Sequence, residues 1–339
     1  MVRSKVILLT SLLLGFQLST TNSGFSQMED STAYKWYKGN THTHTTNSDG
    51  DSSPEVVTKW YRDHGYNFLV ISDHDTLTEV DDLNKTFGKA GEFILITGSE
   101  VTDYLESEKK AIHVNSLNPT KNVLPQGGEN PVEMLQNNID AIREASAIPQ
   151  INHPNHRWSL TANDLKQTQN CVLFEVHSGH PIVNNLSGGG FPGVEEMWDD
   201  ILSSGKLIYG MGADDAHKFI DPWDKSGARP GQAWVVVRAL ELTPTAIVNA
   251  LEHGNFYAST GVELIDYQVD DKGITIDINA GKRAKYRTLF IGKYGKVYKE
   301  AIANPATYEF QGGEMYIRAK IIDSNGCMAW TQPIMLENK

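Results

Sequence analysis

From Trp36 onward the chain alternates short runs of apolar, β-forming residues with stretches whose apolar positions recur every three or four residues. The runs at 68–72, 93–97, 111–116, 148–152, 172–177, 207–211 and 233–237 predict strands, after a lead-in strand over 36–43. Between them, Ser53-Pro54-Glu55 predicts a helix with Pro in its first turn, running to His64. Further helices are expected over 131–146 and 194–204, and Thr243-Pro244 opens a last one ending near Gly254. Alternation of this kind signals a parallel α/β architecture. About seven units over about 225 residues suit a closed or distorted β/α barrel better than an open sheet. No Gly-rich dinucleotide fingerprint follows the first strand, which removes the main reason to expect the open form.

After Gly261 the period changes to two. Runs at 264–269, 274–278, 286–291, 314–322 and 328–335 are separated by Asp270-Asp271-Lys272-Gly273, Lys293-Tyr294-Gly295-Lys296 and Asp323-Ser324-Asn325-Gly326 turns. They predict a small antiparallel, β-sandwich-like domain over 262–339, following a barrel over 35–261. No aromatic ladder for carbohydrate is readable in it, so a structural role covering the barrel is favoured over delivery to a polymer. At the other end, Arg3 and Lys5 precede the apolar run 6–16 and the small residues Gly24 and Ser26. That order reads as a signal peptide over 1–26, cleaved near Ser26 or Gln27, because the apolar core is too short to span a bilayer. The expectation is an exported protein, periplasmic or extracellular, without stable membrane insertion. Cys171 and Cys327 could pair there, but each sits in an apolar, strand-like context, which favours two buried free thiols.

With 30 Lys+Arg against 42 Asp+Glu the formal net charge is −12. This excludes binding bulk nucleic acid or anionic membrane by charge alone, although bound divalent cations would reverse the sign locally.

The candidate chemistry begins at His42-Thr43-His44, whose imidazoles leave one face of an extended segment. With 11 His in the chain, chance alone supplies roughly a third of such a pair, so it needs partners. In a β/α barrel the C-terminal strand ends share one mouth, where residues scattered in sequence converge. Asp49 follows the first strand, Asp73-His74-Asp75 the second, and Gly98-Ser99-Glu100 the third. His113, Asn152-His153-Pro154, His177 and Asp214-Asp215-Ala216-His217 complete the series. So many imidazoles and carboxylates at one mouth would leave polar groups unsatisfied unless metal binds there.

On His42-Thr43-His44, Asp73-His74-Asp75, Asn152-His153-Pro154-Asn155 and Asp215-Ala216-His217, in that order, the chain resembles the PHP (polymerase and histidinol phosphatase) family of metal-dependent phosphoesterases. The resemblance covers about residues 35–260. It implies a distorted (β/α)7 barrel holding two or three divalent ions. Carried over by position, His42, His44, Glu100 and Asp215 would hold the first ion. Glu100 would bridge to a second held by His113 and His153, and Asp49, His74 and His217 would hold a third.

Two such ions can lower the pKa of a bridging water toward about 7 and clamp both oxygens of a phosphoryl displacement. The His-rich set suits Mn, Fe or Zn better than Mg. The expected activity is hydrolysis of a phosphomonoester or small phosphodiester by metal-bound hydroxide, with Glu100, Asp215, His217 and Asp73 as the catalytic candidates. Asp73 and Asp75 read either as carboxylates orienting a ligand imidazole or as turn acceptors. His177, Arg157, Arg229 and Lys218 are the candidates for holding a small-molecule or glycan-linked phosphoester. The Gly-rich loop 180–192 could wall the pocket, and Trp158, Trp198 and Trp223 could stack on a sugar or base, though large aromatics in such positions are more often packing. Alternatives are an amide, lactone or ester hydrolase on the same barrel, or a non-catalytic metal- or glycan-binding protein.

Overall fold

Strand β1 (Lys35–Asn40), helix α1 (Pro54–Asp63) and strand β2 (Phe68–Val70) set the pattern, because the helix carries the chain back so that β2 lies parallel to β1. Pro54 begins α1 where its missing N–H costs no hydrogen bond, and Val57 and Tyr61 on its inner face join Leu69 and Ile71 in one apolar core. Helix α2 (Asp81–Phe87) repeats the step to β3 (Ile94–Ile96), again parallel. The computed structural model describes residues 34–221 and 227–336; the expected signal peptide and Trp223 lie outside them.

The next pair departs from the parallel expectation. β4 (Gly98–Leu105) and β5 (Lys110–Leu117) form an antiparallel hairpin in unbroken register. Only residues 106–109 join them, and a parallel crossover needs about a dozen residues, so the short connection dictates the direction. The sequence pattern had treated Gly98-Ser99-Glu100 as the end of the preceding strand; here it begins a new one. Helix α3 (Pro131–Glu144) leads to β6 (Ile148–Ile151), antiparallel to β5. Parallel pairing resumes through helix α4 (Ala162–Gln167), β7 (Leu173–Ser178), helix α5 (Val194–Ser203) and β8 (Tyr209–Ala213). β9 (Trp234–Ala239), helix α6 (Pro244–Glu252) and β10 (Phe256–Ser259) follow, with β9 antiparallel to both β1 and β10. The result is a mixed α/β fold. One sheet runs β4-β5-β6-β7-β8, the other places β9 and β10 beside β1-β2-β3, and isolated bridges Thr43–Ala216 and His74–Glu100 tie the two at their strand ends.

Beyond Gly261 come β11 (Leu264–Val269), β12 (Gly273–Ile278), β13 (Tyr286–Gly292), β14 (Lys296–Ala301), β15 (Ala306–Glu309), β16 (Tyr316–Asp323), β17 (Met328–Thr331) and β18 (Ile334–Met335). β11, β12 and β15 form a separate antiparallel sheet, while β14, β13, β16 and β17 prolong the long sheet past β10. Strands β14 and β15 were not legible in the sequence. β14 (Lys-Val-Tyr-Lys-Glu-Ala) is an edge strand whose charged side chains protect its open side and hide the alternation. Cys171 and Cys327 are both free thiols. Among the described residues no helix is long and apolar enough to cross a membrane.

Helix α5 is clamped to β16 by a buried ion pair. Arg318, 1% exposed, donates to both Asp199 oxygens (2.9 and 2.7 Å), and the Tyr316 hydroxyl donates to the same carboxylate at 2.8 Å. The guanidinium also lies 4.6 Å from the Trp198 ring centroid. Asp199→Ala would leave the buried Arg318 with Glu195, at 3.5 Å, as its remaining carboxylate and should cost up to about 3–5 kcal/mol, measured as a lowered midpoint of urea unfolding. An unchanged midpoint would show that the pair does not join these elements.

Candidate metal centre

His42 and His44 follow β1 in an extended segment, so alternation turns Thr43 toward Ser72 and Ala216 and sends both imidazoles the other way. The His44 N–H donates to the Ala216 carbonyl and the Asp215 N–H to the His42 carbonyl, which fixes Asp215 opposite the pair. Asp215 has φ 49°, in the left-handed region that Asp tolerates better than most side chains. Glu100 enters from β4. It pairs with Asn115 on β5, which makes His113 its diagonal neighbour, and the bridge to His74 brings that ring alongside. His153 leaves the end of β6, held by the Asn152 N–H donating to the His113 carbonyl.

The Glu100 carboxylate is wholly buried, with an imidazole nitrogen within 3.5 Å from five residues. These are His42 Nε2 at 3.3 Å, His44 Nε2 at 3.4 Å, His74 Nδ1 at 2.9 Å, His113 Nδ1 at 3.1 Å and His153 Nε2 at 3.5 Å. Asp215 Oδ1 lies 3.3 Å from both His42 Nε2 and His44 Nε2. Asp49, 57% exposed at the mouth, stands 3.2 Å from His217 Nε2 and 3.7 Å from His44 Nδ1 and His74 Nε2. The donors fall into four groups with mutual distances within 4.8 Å: His42–His44–Glu100, His74–Glu100–His113, His44–Asp49–His74–His217 and His42–His153–Glu175. Ligands on one ion with bonds of about 2.1 Å sit about 3–3.4 Å apart, so the spacing fits shared cations. A second observation agrees. His42 Nε2, His44 Nε2 and Glu100 Oε2 are buried and make no hydrogen bond. Left bare, such groups cost about 1–3 kcal/mol each, and a bound cation removes that cost.

Glu175 explains why the lone pair of His42 points inward. Its Oε1 lies 2.6 Å from His42 Nδ1 and 3.2 Å from the Gln150 amide, while Oε2 accepts the His153 N–H at 2.9 Å. With Nδ1–H donated to Glu175, Nε2 faces Glu100 and Asp215 as an acceptor, an arrangement that only a cation or a proton satisfies. Asn152 Nδ2 supports the same centre, donating to Glu100 Oε1 at 2.7 Å and to Asn115 at 2.8 Å.

The cluster tunes its own protonation. Burial raises the Glu100 and Asp215 carboxyls, but the surrounding imidazoles outweigh it and hold both well below the usual carboxylate range. Burial pushes His44 down to about 4, so it is a neutral ligand at pH 7. His74 is also penalised by burial, yet Glu100 and Asp49 hold it up at about 10, so a cation there competes with a proton.

The cavity over this centre has a volume of about 150 Å³, and His156, His180, Ile182 and Val183 complete its wall. Of the expected substrate contacts, none of His177, Arg157, Arg229 and Lys218 lines it. His177 faces the other way: a bulge between Glu175 and His177 breaks the alternation of β7, and the His177 ring stacks on Trp330 at 5.5 Å. Arg157 lies over the Tyr104 ring, Lys218 is exposed, and Arg229 is half-buried. Asp73 is committed to the loop that carries Asp49. Its carboxylate accepts from the Thr45 N–H and the hydroxyls of Thr45, Ser48 and Thr78 at 2.7–2.8 Å, one layer behind the imidazoles. Asp75 accepts the Thr102 N–H. Trp198 is core, and Trp158 packs on Phe191. Gly50 lets this loop close, since a Cβ there would lie 2.6 Å from the His44 carbonyl oxygen. Glu175 was missed in the sequence; its signal was a lone carboxylate inside the apolar run Leu173-Phe174-Glu175-Val176.

No protein-family model and no curated protein matches the chain. Among solved structures it is similar to a two-domain protein from Bacteroides vulgatus described as containing a predicted PHP-like metal-dependent phosphoesterase. The identity is 17%, the TM-score 0.51, and the match covers 90% of this chain and 96% of that one. A metal-dependent phosphoesterase, described as putative, from Bifidobacterium adolescentis matches at 14% identity and TM-score 0.41, over 54% of this chain and 89% of that one. A lesion-specific endonuclease from Pyrococcus furiosus matches at 14% and 0.40, over 65% and 56%. The match to the B. vulgatus protein covers 90% of this chain, so the mixed α/β fold that carries this His/Asp-rich centre is similar to the fold of that protein.

Proposed function

We propose that the protein is a metal-dependent hydrolase, and more specifically a phosphoesterase acting on a phosphomonoester or small phosphodiester. The observation that carries this is the buried Glu100 carboxylate ringed by five imidazoles, with His42 Nε2, His44 Nε2 and Glu100 Oε2 unpaired. In this reading the two bridged sheets are a distorted (β/α)7 barrel, residues 35–261 carry the catalyst, and the protein works after export.

The chain's own residues divide the work. His42, His44, Glu100 and Asp215 would hold one ion, Glu100 with His113 and His153 a second, and Asp49, His74 and His217 a third. Imidazole and carboxylate donors favour Mn, Fe or Zn. When bound, such ions supply Lewis acidity and an ionisable water near neutral pH. Glu175 fixes the His42 tautomer and Asp73 fixes the loop carrying Asp49. His156 and His180, both pushed down by burial, line the cavity as neutral hydrogen-bonding groups. No Lys or Arg lines it among the described residues, so compensation for a phosphate's charge falls to cations at the centre.

Purified protein should carry two or three Mn, Fe or Zn ions per chain by elemental analysis. Stripping them with a chelator should lower the melting temperature, and restoring them at about 1,000 times the Kd should return about 4 kcal/mol. With Mn or Zn added, p-nitrophenyl phosphate or bis-p-nitrophenyl phosphate should be hydrolysed; turnover of carboxyl esters instead would replace the phosphoesterase assignment with another hydrolase. Glu100→Gln and His42→Ala should lose both activity and bound metal while keeping the circular dichroism spectrum. Glu175→Gln leaves every ligand in place and should weaken metal affinity about 10–100-fold in a competition titration. Wild-type affinity would refute its orienting role.

A further inference from the structure

The cavity over the metal centre is too small for more than the reacting group, since pockets that enclose whole ligand-sized molecules run to about 300–1,000 Å³. It does not end there. His180 lines both this cavity and a neighbouring groove of about 640 Å³; a separate cavity of about 510 Å³, which carries the charged residues Glu195, Asp199, Arg318 and Lys320, shares His177 and Leu186 with that groove. One wall is the loop after β7. The other is built by Gln232, by Thr260 after β10, and by the 323–328 turn between β16 and β17. The strands beyond Gly261 therefore reach the approach to the metal centre.

Resting on the hydrolase reading, we propose that this groove holds the remainder of the substrate and that the remainder is a neutral polyhydroxy group, making the substrate a glycosyl or polyol phosphoester. The lining decides the class. Among the described residues of the groove there is no Asp, Glu, Lys or Arg, whereas Ser178, Gln232 and Asn325 present hydroxyl and amide groups, and Asn184 and Thr260 are held by the Asn155 and Met328 backbones. A nucleic-acid strand would bring a row of phosphates that calls for Lys and Arg. An alkyl chain would leave the amides without partners. Sugar hydroxyls, which donate and accept, match neutral amides and hydroxyls. Two of these amides are nearly free. Among the described residues, Gln232 Nε2 reaches only the Pro230 carbonyl at 3.4 Å, and Asn325 Nδ2 only Asp323 at 3.3 Å. Their backbones are nonetheless fixed, Gln232 by its N–H to Asp214 at 2.6 Å and Asn325 by its N–H to Asp323 at 2.8 Å. Asn185, by contrast, spends its amide on the Ser178 backbone and shapes the loop instead.

The test uses the metal-loaded full chain and compares kcat/KM on glucose 1-phosphate, N-acetylglucosamine 1-phosphate, mannose 1-phosphate and maltose 1-phosphate with p-nitrophenyl phosphate and octyl phosphate. At least one sugar phosphate should exceed both by tenfold or more. The double variant Gln232→Ala/Asn325→Ala should shrink that preference at least tenfold, through KM and not kcat. Turnover of p-nitrophenyl phosphate with no sugar preference, a preference for octyl phosphate, or equal loss on both classes in the variant overturns the groove assignment alone. Absence of turnover on every phosphoester overturns the phosphoesterase reading, and this inference with it.

Discussion

A carboxylate with no access to water, facing five imidazole nitrogens from four separate segments, is the arrangement on which the rest of the molecule depends. Glu100 occupies that position, and every strand end around it is held by hydrogen bonds that serve the placement. The paired segments at Thr43 and Ala216, the bridge from His74 to Glu100, and the amides of Asn115 and Asn152 all converge on one volume. Packed without cations, this volume carries unpaired lone pairs and opposed carboxylates, a condition that folding energetics disfavour. The tolerance of the fold for such a centre follows from its surroundings: apolar cores on both sides, and a layer of buried carboxylates and amides that fixes each ring.

That outer layer shows a division between holding a ligand and holding its support. Glu175 sets the hydrogen on His42, and Asp73 gathers three donors from the loop bearing Asp49 and a fourth from Thr78. Asp214, next to Asp215, takes the Tyr61 hydroxyl and three backbone N–H groups from 231–233, which anchors the segment after β8 and, through Gln232, one wall of the groove. Neighbouring acidic residues in the sequence thus serve different layers. The same economy extends to the C-terminal strands, which prolong the main sheet, clamp α5 through Arg318, and border the groove.

Much of the centre was legible before any coordinates. His42, His44, His74, Glu100, His113, His153, Asp215 and His217 each follow or sit within an apolar run, and the strand-end rule gathers such residues at one place. Less was legible where a feature depends on pairing between distant segments. The β4–β5 hairpin turned on a four-residue connection that local periodicity does not register. The bulge in β7 reversed the aim of His177, and one inserted residue is enough to do that because side chains alternate with a period of two. Glu175 looked like an anomaly within a hydrophobic strand, and its partner His42 is 133 residues away.

The sequence by itself determined the inventory and its order: the donor types, their position relative to apolar runs, and the change of period after Gly261. These are local properties, set by which residues neighbour one another along the chain. Only the tertiary structure decided which nitrogen meets which oxygen, which carboxylates stand behind the ligands, and that a turn near residue 325 borders the approach to His180. Those outcomes follow from register, from the direction in which strands pair and from the closing of two sheets on each other, none of which any single stretch of the chain encodes.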